Sequence, residues 1–234
     1  MSDQADNHLD DENPGADRLN RALKPDWTIS KVLEEAWKLK DGFKGTYWGA
    51  LAVLLVANLL FSGLAALVGD DSNMINAIVQ LITVLVTYPL VVGLMMIAIK
   101  HSVGIPTTAS MVFDYYPNTV PIFLTYLLMV VLIIIGFILL VVPGLYLLFA
   151  YMLALPLLVD KQLGIWEALE TSRKAITPCW FRVVGLSLIS AVVVAVSAIP
   201  LGIGLIWTLP FLGLVMAIVY RDLVGVSALN TTPD

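Results

Sequence analysis

The sequence predicts an all-α, polytopic membrane protein with six transmembrane helices in three hairpins, each preceded by an interfacial amphipathic helix. Three observations carry this. The chain of 234 residues is 59% hydrophobic and 13% charged, with a mean hydropathy of +0.89. Soluble domains carry about 25% charged residues, and half that density does not keep a globule of this size wetted. Six stretches reach or approach the roughly 20 apolar residues that cross a hydrocarbon core of about 30 Å. Finally, all 13 Lys and Arg fall on one side when both ends of the chain share that side, which is the asymmetry expected of cytoplasmic segments.

The elements follow in order. Residues 1–26 hold seven acids against Arg18, Arg21 and Lys24, which is −4 of the chain's net −5. With too little apolar surface to offset its ordering entropy, this stretch reads as a disordered acidic cytoplasmic tail. It lacks the basic start and apolar core of a signal peptide. Residues 27–222 form the six-helix membrane domain and 223–234 a short cytoplasmic C-terminal tail. The spans are Tyr47 to Val68, Ile75 to Ile99, Val120 to Val142, Gly144 to Val159, Val183 to Ile199 and Gly202 to Tyr220. Turns are expected at GDDSN after the first span, Pro143-Gly144 after the third and Pro200-Leu201-Gly202 after the fifth, since Gly, Pro, Asp and Asn punctuate helices. In a bacterium this organisation means a multi-pass protein of the inner membrane with both termini cytoplasmic.

A unit recurs. WTISKVLEEAWKLKDGF, PTTASMVFDYYPN and the segment around IWEALETSRKAI each place apolar residues at three- and four-residue steps and end at a helix breaker, the pattern of an amphipathic helix at a membrane surface. A slide of 136 residues aligns Ile29 with Ile165, Leu33 with Leu169, Glu34 with Glu170, Lys38 with Lys174 and Gly49 with Gly185. The second helix of every hairpin carries an internal proline, Pro89, Pro156 or Pro210. These features suggest a threefold repeat over residues 27–100, 105–160 and 163–221, its copies related by an axis along the membrane normal.

Candidate lipid-interface residues are Trp27, Trp37, Lys161, Trp166, Arg173, Lys174, Trp180 and Arg182, aromatic rings and cations of the kind that sit at headgroup level. Membrane lipids are therefore the expected partner, with other membrane proteins or a second copy of the chain beside them, and no nucleic acid. The spans contain no Asp, Glu, Lys, Arg or His, the ionisable groups that ion pumps and proton relays place inside the bilayer. Asn58, Asn76, Gln80 and Thr83 could coat a polar groove in the first two spans, or simply bond helix to helix. Glu167 and Glu170 lie one turn apart but have no nearby histidine, His101 ends a span, and Cys179 is the single cysteine. No phosphate loop or nucleophile elbow occurs. No catalytic residue, metal site or cofactor is expected. The reading is a non-enzymatic organiser of lipids or membrane proteins, with a transporter or lipid-handling channel along the polar stripe as the alternative.

The stretch from Pro143 to Leu186 resembles YciC-type bacterial membrane proteins and the membrane domain attached to some glycerophosphoryl diester phosphodiesterases. The likeness rests on Pro143-Gly144, Pro156 and a "VD…G…AL..S" pattern of Val159, Asp160, Gly164, Ala168, Leu169 and Ser172, and extends over roughly residues 27–222. It implies a six-helix bundle. The phosphodiesterase chemistry of those proteins belongs to a separate soluble domain, so the resemblance transfers no catalytic residue.

Overall fold

A computed structural model describes residues 27–68, 73–200 and 202–227; the acidic tail and the Asp70-Asp71 turn lie outside them. Among the described residues the chain is helical, without strands. Six helical stretches are long and apolar enough to cross a bilayer, which makes this a multi-pass integral membrane protein.

Helix α1 (Ile29–Leu39) starts where the Thr28 hydroxyl accepts the Lys31 N–H at 3.4 Å, a polar cap for an otherwise orphan donor. Glu34 and Lys38 pair across one turn at 2.6 Å. The helix stops at Lys40-Asp41-Gly42, where Gly42 takes a φ of +86° open chiefly to glycine. The first hairpin is α2 (Phe43–Val68) and α3 (Asn73–Ser102). At 30 residues α3 is about 45 Å long, well over the thickness of a bilayer core, so it must tilt or project.

The second connector is not an α-helix. Ala109–Phe113 and Tyr116–Asn118 form two short 3-10 turns, because Pro106 and Pro117 bracket a stretch too brief for an α-helical nucleus. Next come α4 (Thr119–Leu139) and α5 (Val141–Ala150), α6 (Ala154–Asp160), the connector helix α7 (Ile165–Ile176), then α8 (Trp180–Ala198) and α9 (Leu205–Val224). The turn expected at Pro143-Gly144 instead falls at Leu140, which is extended at φ −165°. Pro143 sits inside the first turn of α5, where its missing N–H costs no hydrogen bond. Gly144 packs against Phe137 so closely that a Cβ there would lie 2.4 Å from the ring. The final helix likewise runs two residues into the stretch read as a C-terminal tail, and Val226 beyond it is buried.

The second member of each hairpin lies inside and the first outside. Over an apolar stretch of 18 residues in each, α3, α5–α6 and α9 are 50%, 50% and 44% buried, against 11–17% for the first members. The core therefore gathers Leu90, Ile97, Leu153, Leu157, Leu214 and Ile218 from the three proline-bearing helices.

Candidate functional site

A proline inside a helix has no N–H to return to the carbonyl four residues back, and its ring crowds that carbonyl. In hydrocarbon no water replaces the lost bond. The three inner helices each carry a proline, and near each one a side chain from a neighbouring unit bonds a backbone carbonyl. At Pro210 the freed carbonyl is Ile206, which accepts the Trp48 indole N–H at 3.0 Å. One turn before Pro89 the Val86 carbonyl accepts the Tyr116 hydroxyl at 3.1 Å. Before Pro156 the span breaks outright at Tyr151–Leu153. There the Ser172 hydroxyl donates to the Ala150 carbonyl at 2.6 Å and accepts the Leu153 N–H at 3.2 Å. Ser172 is 0% exposed.

The donors come from a cyclic arrangement. The second connector docks on α3, with the Val112 backbone against Gly93. Helix α7 docks on α5 and α6 through Ser172. Helix α1 follows no span, yet it docks on α9: Arg221 grips Glu35 with two bonds of 2.6 and 2.9 Å, and the Trp37 and Phe211 rings meet at 6.1 Å. The first connector thus treats the last span as the other connectors treat the spans just before them. The glycines aligned by the 136-residue slide repeat the step: Gly49 of α2 faces Ala109 of the second connector, and Gly185 of α8 faces Ile29 of α1.

Charge collects where the connectors meet the inner helices. Arg221 also donates to the Ser102 carbonyl at 3.2 Å and to Asp222, so one guanidinium joins α1, α3 and α9. Its hydrogen bond holds the Glu35 carboxyl below the usual glutamate range, against the opposing pull of burial. Asp160 keeps only 5% of its side chain exposed. Its carboxylate accepts the Tyr220 hydroxyl at 2.7 Å and the Ser227 N–H at 3.2 Å, with the Lys161 ammonium 3.7 Å away.

The predicted interface residues divide. Trp37 and Trp166 are each 61% exposed. Trp27 is only 4% exposed, covered by the Arg182 guanidinium at 5.5 Å, which also bonds the Trp27 carbonyl at 2.9 Å. Trp180 is half-buried among Tyr146, Phe149 and Phe181. Arg173 makes a bidentate pair with Glu170, and Lys174 lies 3.4 Å from the same carboxylate with most of its side chain exposed. Of the polar-groove residues, Asn58 and Thr83 bond the carbonyls of Leu54 and Val79 in their own helices at 2.8 Å, while Asn76 and Gln80 are exposed. None of the four lines either of two cavities beside α9, of about 280 Å³ among the inner helices and about 230 Å³ against α8. Among the described residues no three His, Cys, Asp or Glu side chains gather as a metal site.

Trp48, Tyr116 and Glu35 escaped the sequence reading. For Trp48 the available signal was Pro210, which announces that the Ile206 carbonyl needs a donor. No protein-family model, characterised protein or solved structure matches the chain.

Proposed function

We propose that the protein is a non-enzymatic component of the bacterial inner membrane, both termini in the cytoplasm, that organises lipids or partner membrane proteins at its cation-bearing end. One observation carries this reading. Among the basic side chains, Arg182 and Arg221 bond parts of the bundle far apart in sequence, and others lie on the connectors beside exposed aromatic rings. Lys40 lies 2.9 Å above the centre of the exposed Trp37 ring. Lys44 has no carboxylate partner among the described residues, and Lys174 is on the same short helix as the exposed Trp166. Exposed cations beside amphipathic rings suit the phosphate level of an anionic leaflet, where each cation contributes about 1 kcal/mol.

The same proposal takes the three hairpins as a true repeat, supported by the cyclic docking and by the matched roles of Gly49 and Gly185. YciC-type kinship belongs with it: Asp160, Ala168, Leu169 and Ser172 of the shared pattern are all spent on burial or hydrogen bonds in the bundle.

The test is Lys40→Glu/Lys44→Glu/Lys174→Glu, a triple variant that leaves the Arg221, Arg173 and Lys161 pairs in place. Anionic phospholipid retained through purification should fall well below the wild-type level. Unchanged retention, together with an unchanged set of crosslinked partners in native membranes, would sink the proposal. An impermeant amine reagent added outside intact cells should leave Lys44 and Lys161 unmodified.

A further inference from the structure

We propose that two cavities on either side of α9, one among the inner helices and one against α8, form one site for the hydrocarbon tail of a membrane lipid. This deepens the lipid reading above and rests on it for the class of ligand. The larger cavity is walled by Val91 and Met95 of α3, Leu153 and Pro156 of the broken span, and Leu212 and Met216 of α9. The smaller lies on the far side of Leu212 and Met216, against Val183 and Leu186 of α8. Leu212 and Met216 belong to both walls, so rotation of a leucine and a flexible thioether is enough to join the two spaces.

The lining selects hydrocarbon. Four hydroxyl side chains reach these walls: Tyr47 and Tyr220 in the larger cavity, Ser187 and Ser190 in the smaller. Tyr220 is committed to Asp160. Ser187 and Ser190 are bonded at 2.8 Å to the Val183 and Leu186 carbonyls of their own helix. Tyr47 is buried, its ring packed on Phe43 at 5.2 Å and against Gly213. Water needs two to four polar partners to settle in a cavity, and an apolar one stays dry. An empty space leaves its lining without dispersion contacts, so an apolar occupant is favoured.

Size and setting choose the occupant. A helix about 10 Å across does not fit. An engineered cavity of about 150 Å³ takes benzene, and by that ratio the larger space takes a chain of about eleven carbons, with the smaller carrying the chain onward. Helices this long and apolar are bathed in lipid tails, the hydrocarbon at hand. The second proline-bearing span reaches both spaces: its break at Tyr151–Leu153 places Met152 on the wall of the smaller cavity and Leu153 on that of the larger.

The experiment uses the full chain in lipid nanodiscs containing a phospholipid with a diazirine on one tail, irradiated and mapped by peptide mass spectrometry. Adducts are expected on Met95 and Met216 as well as on the outward-facing Leu59 and Ile138. Ala98→Phe, which fills the larger cavity, should lower the Met95 and Met216 adducts about tenfold relative to those on Leu59, as a loss of about 1.4 kcal/mol in affinity gives. Leu212→Trp should do the same from the shared wall, and stands in if Ala98→Phe does not fold. Adducts confined to Leu59 and Ile138 in the wild type, or cavity adducts that persist in the folded variants, overturn the proposal. Cavity adducts equal for neutral and anionic headgroups support the tail site while counting against the cationic face. A headgroup preference without cavity adducts does the reverse.

Discussion

Trp48 and Ile206 stand 158 residues apart in sequence and share one hydrogen bond of 3.0 Å. It joins the first membrane helix to the last at the point where Pro210 leaves a carbonyl without its helical donor. It is one of three such bonds, since each inner helix carries a proline and each is stitched by a residue from another part of the chain.

Trp48→Phe keeps most of the ring and removes the N–H. It should destabilise the bundle by about 1 kcal/mol, within the range measured for hydrogen bonds between membrane helices. Pro210→Ala restores an N–H four residues beyond Ile206, so Trp48→Phe should cost less in that background. A double-mutant cycle read by detergent unfolding tests the coupling; a cost unchanged by Pro210→Ala would show that the indole acts only through packing.

Ser172 serves two backbone groups at once, and its loss leaves the Ala150 carbonyl and the Leu153 N–H buried and unpaired. Ser172→Ala should cost about 2 kcal/mol, since each orphaned buried group costs roughly 1–3 kcal/mol. Ser187→Ala and Ser190→Ala remove hydroxyls that bond carbonyls within their own helix. These should change stability by less than about 0.5 kcal/mol. Thermal unfolding of the three variants in one detergent gives the ranking.

The spans were legible because hydrocarbon thickness acts as a ruler on apolar runs, and the prolines marked where those spans would be weak. What covers an apolar face was not legible. Ala168, Leu169 and Ile176 read as one face of a surface helix, and they do form one face, but protein buries it. Lipid tails and neighbouring helices are equally apolar, so hydropathy does not separate them. Trp27 illustrates the same limit: the sequence puts a tryptophan near the membrane surface, and Arg182 folds over it from 155 residues away. The donors that reach the Val86, Ala150 and Ile206 carbonyls depend on how hairpins pack, which no local pattern encodes.

Glu35 gives the fold a pH dependence with a definite sign. Its carboxyl titrates below the usual range because the Arg221 guanidinium bonds the charged form. A lowered folded-state value means the tie is fully present above the ordinary glutamate pKa of about 4.3 and is lost as pH falls through the lower folded value. Glu35→Gln should therefore destabilise the protein at pH 7 by about 1 kcal/mol, the upper range for a pair that solvent still reaches. The difference from wild type should shrink as pH drops below about 4. Unfolding curves of both proteins between neutral and acid pH check this, and a gap that stays constant would remove Arg221–Glu35 as the cause.

Two glycines of the same helical kind should respond to alanine in opposite directions. Both sit inside helices, where Gly→Ala gains up to about 1 kcal/mol of propensity. At Gly185 a Cβ would lie 3.5 Å from the Ile29 Cδ1 atom, an ordinary contact, so Gly185→Ala should be neutral or slightly stabilising. At Gly93 it would lie 2.4 Å from the Val112 carbonyl oxygen and 2.7 Å from the Val112 Cα, both backbone atoms that cannot rotate away. Gly93→Ala must push the second connector off α3, which outweighs the propensity gain and costs a net of about 1–3 kcal/mol, as overpacking typically does. That displacement also draws Tyr116 away from the Val86 carbonyl, so the Gly93→Ala loss should overlap with that of Tyr116→Phe rather than add to it. Strictly additive losses in the double variant would mean that the connector docks without carrying its hydroxyl to the Val86 carbonyl.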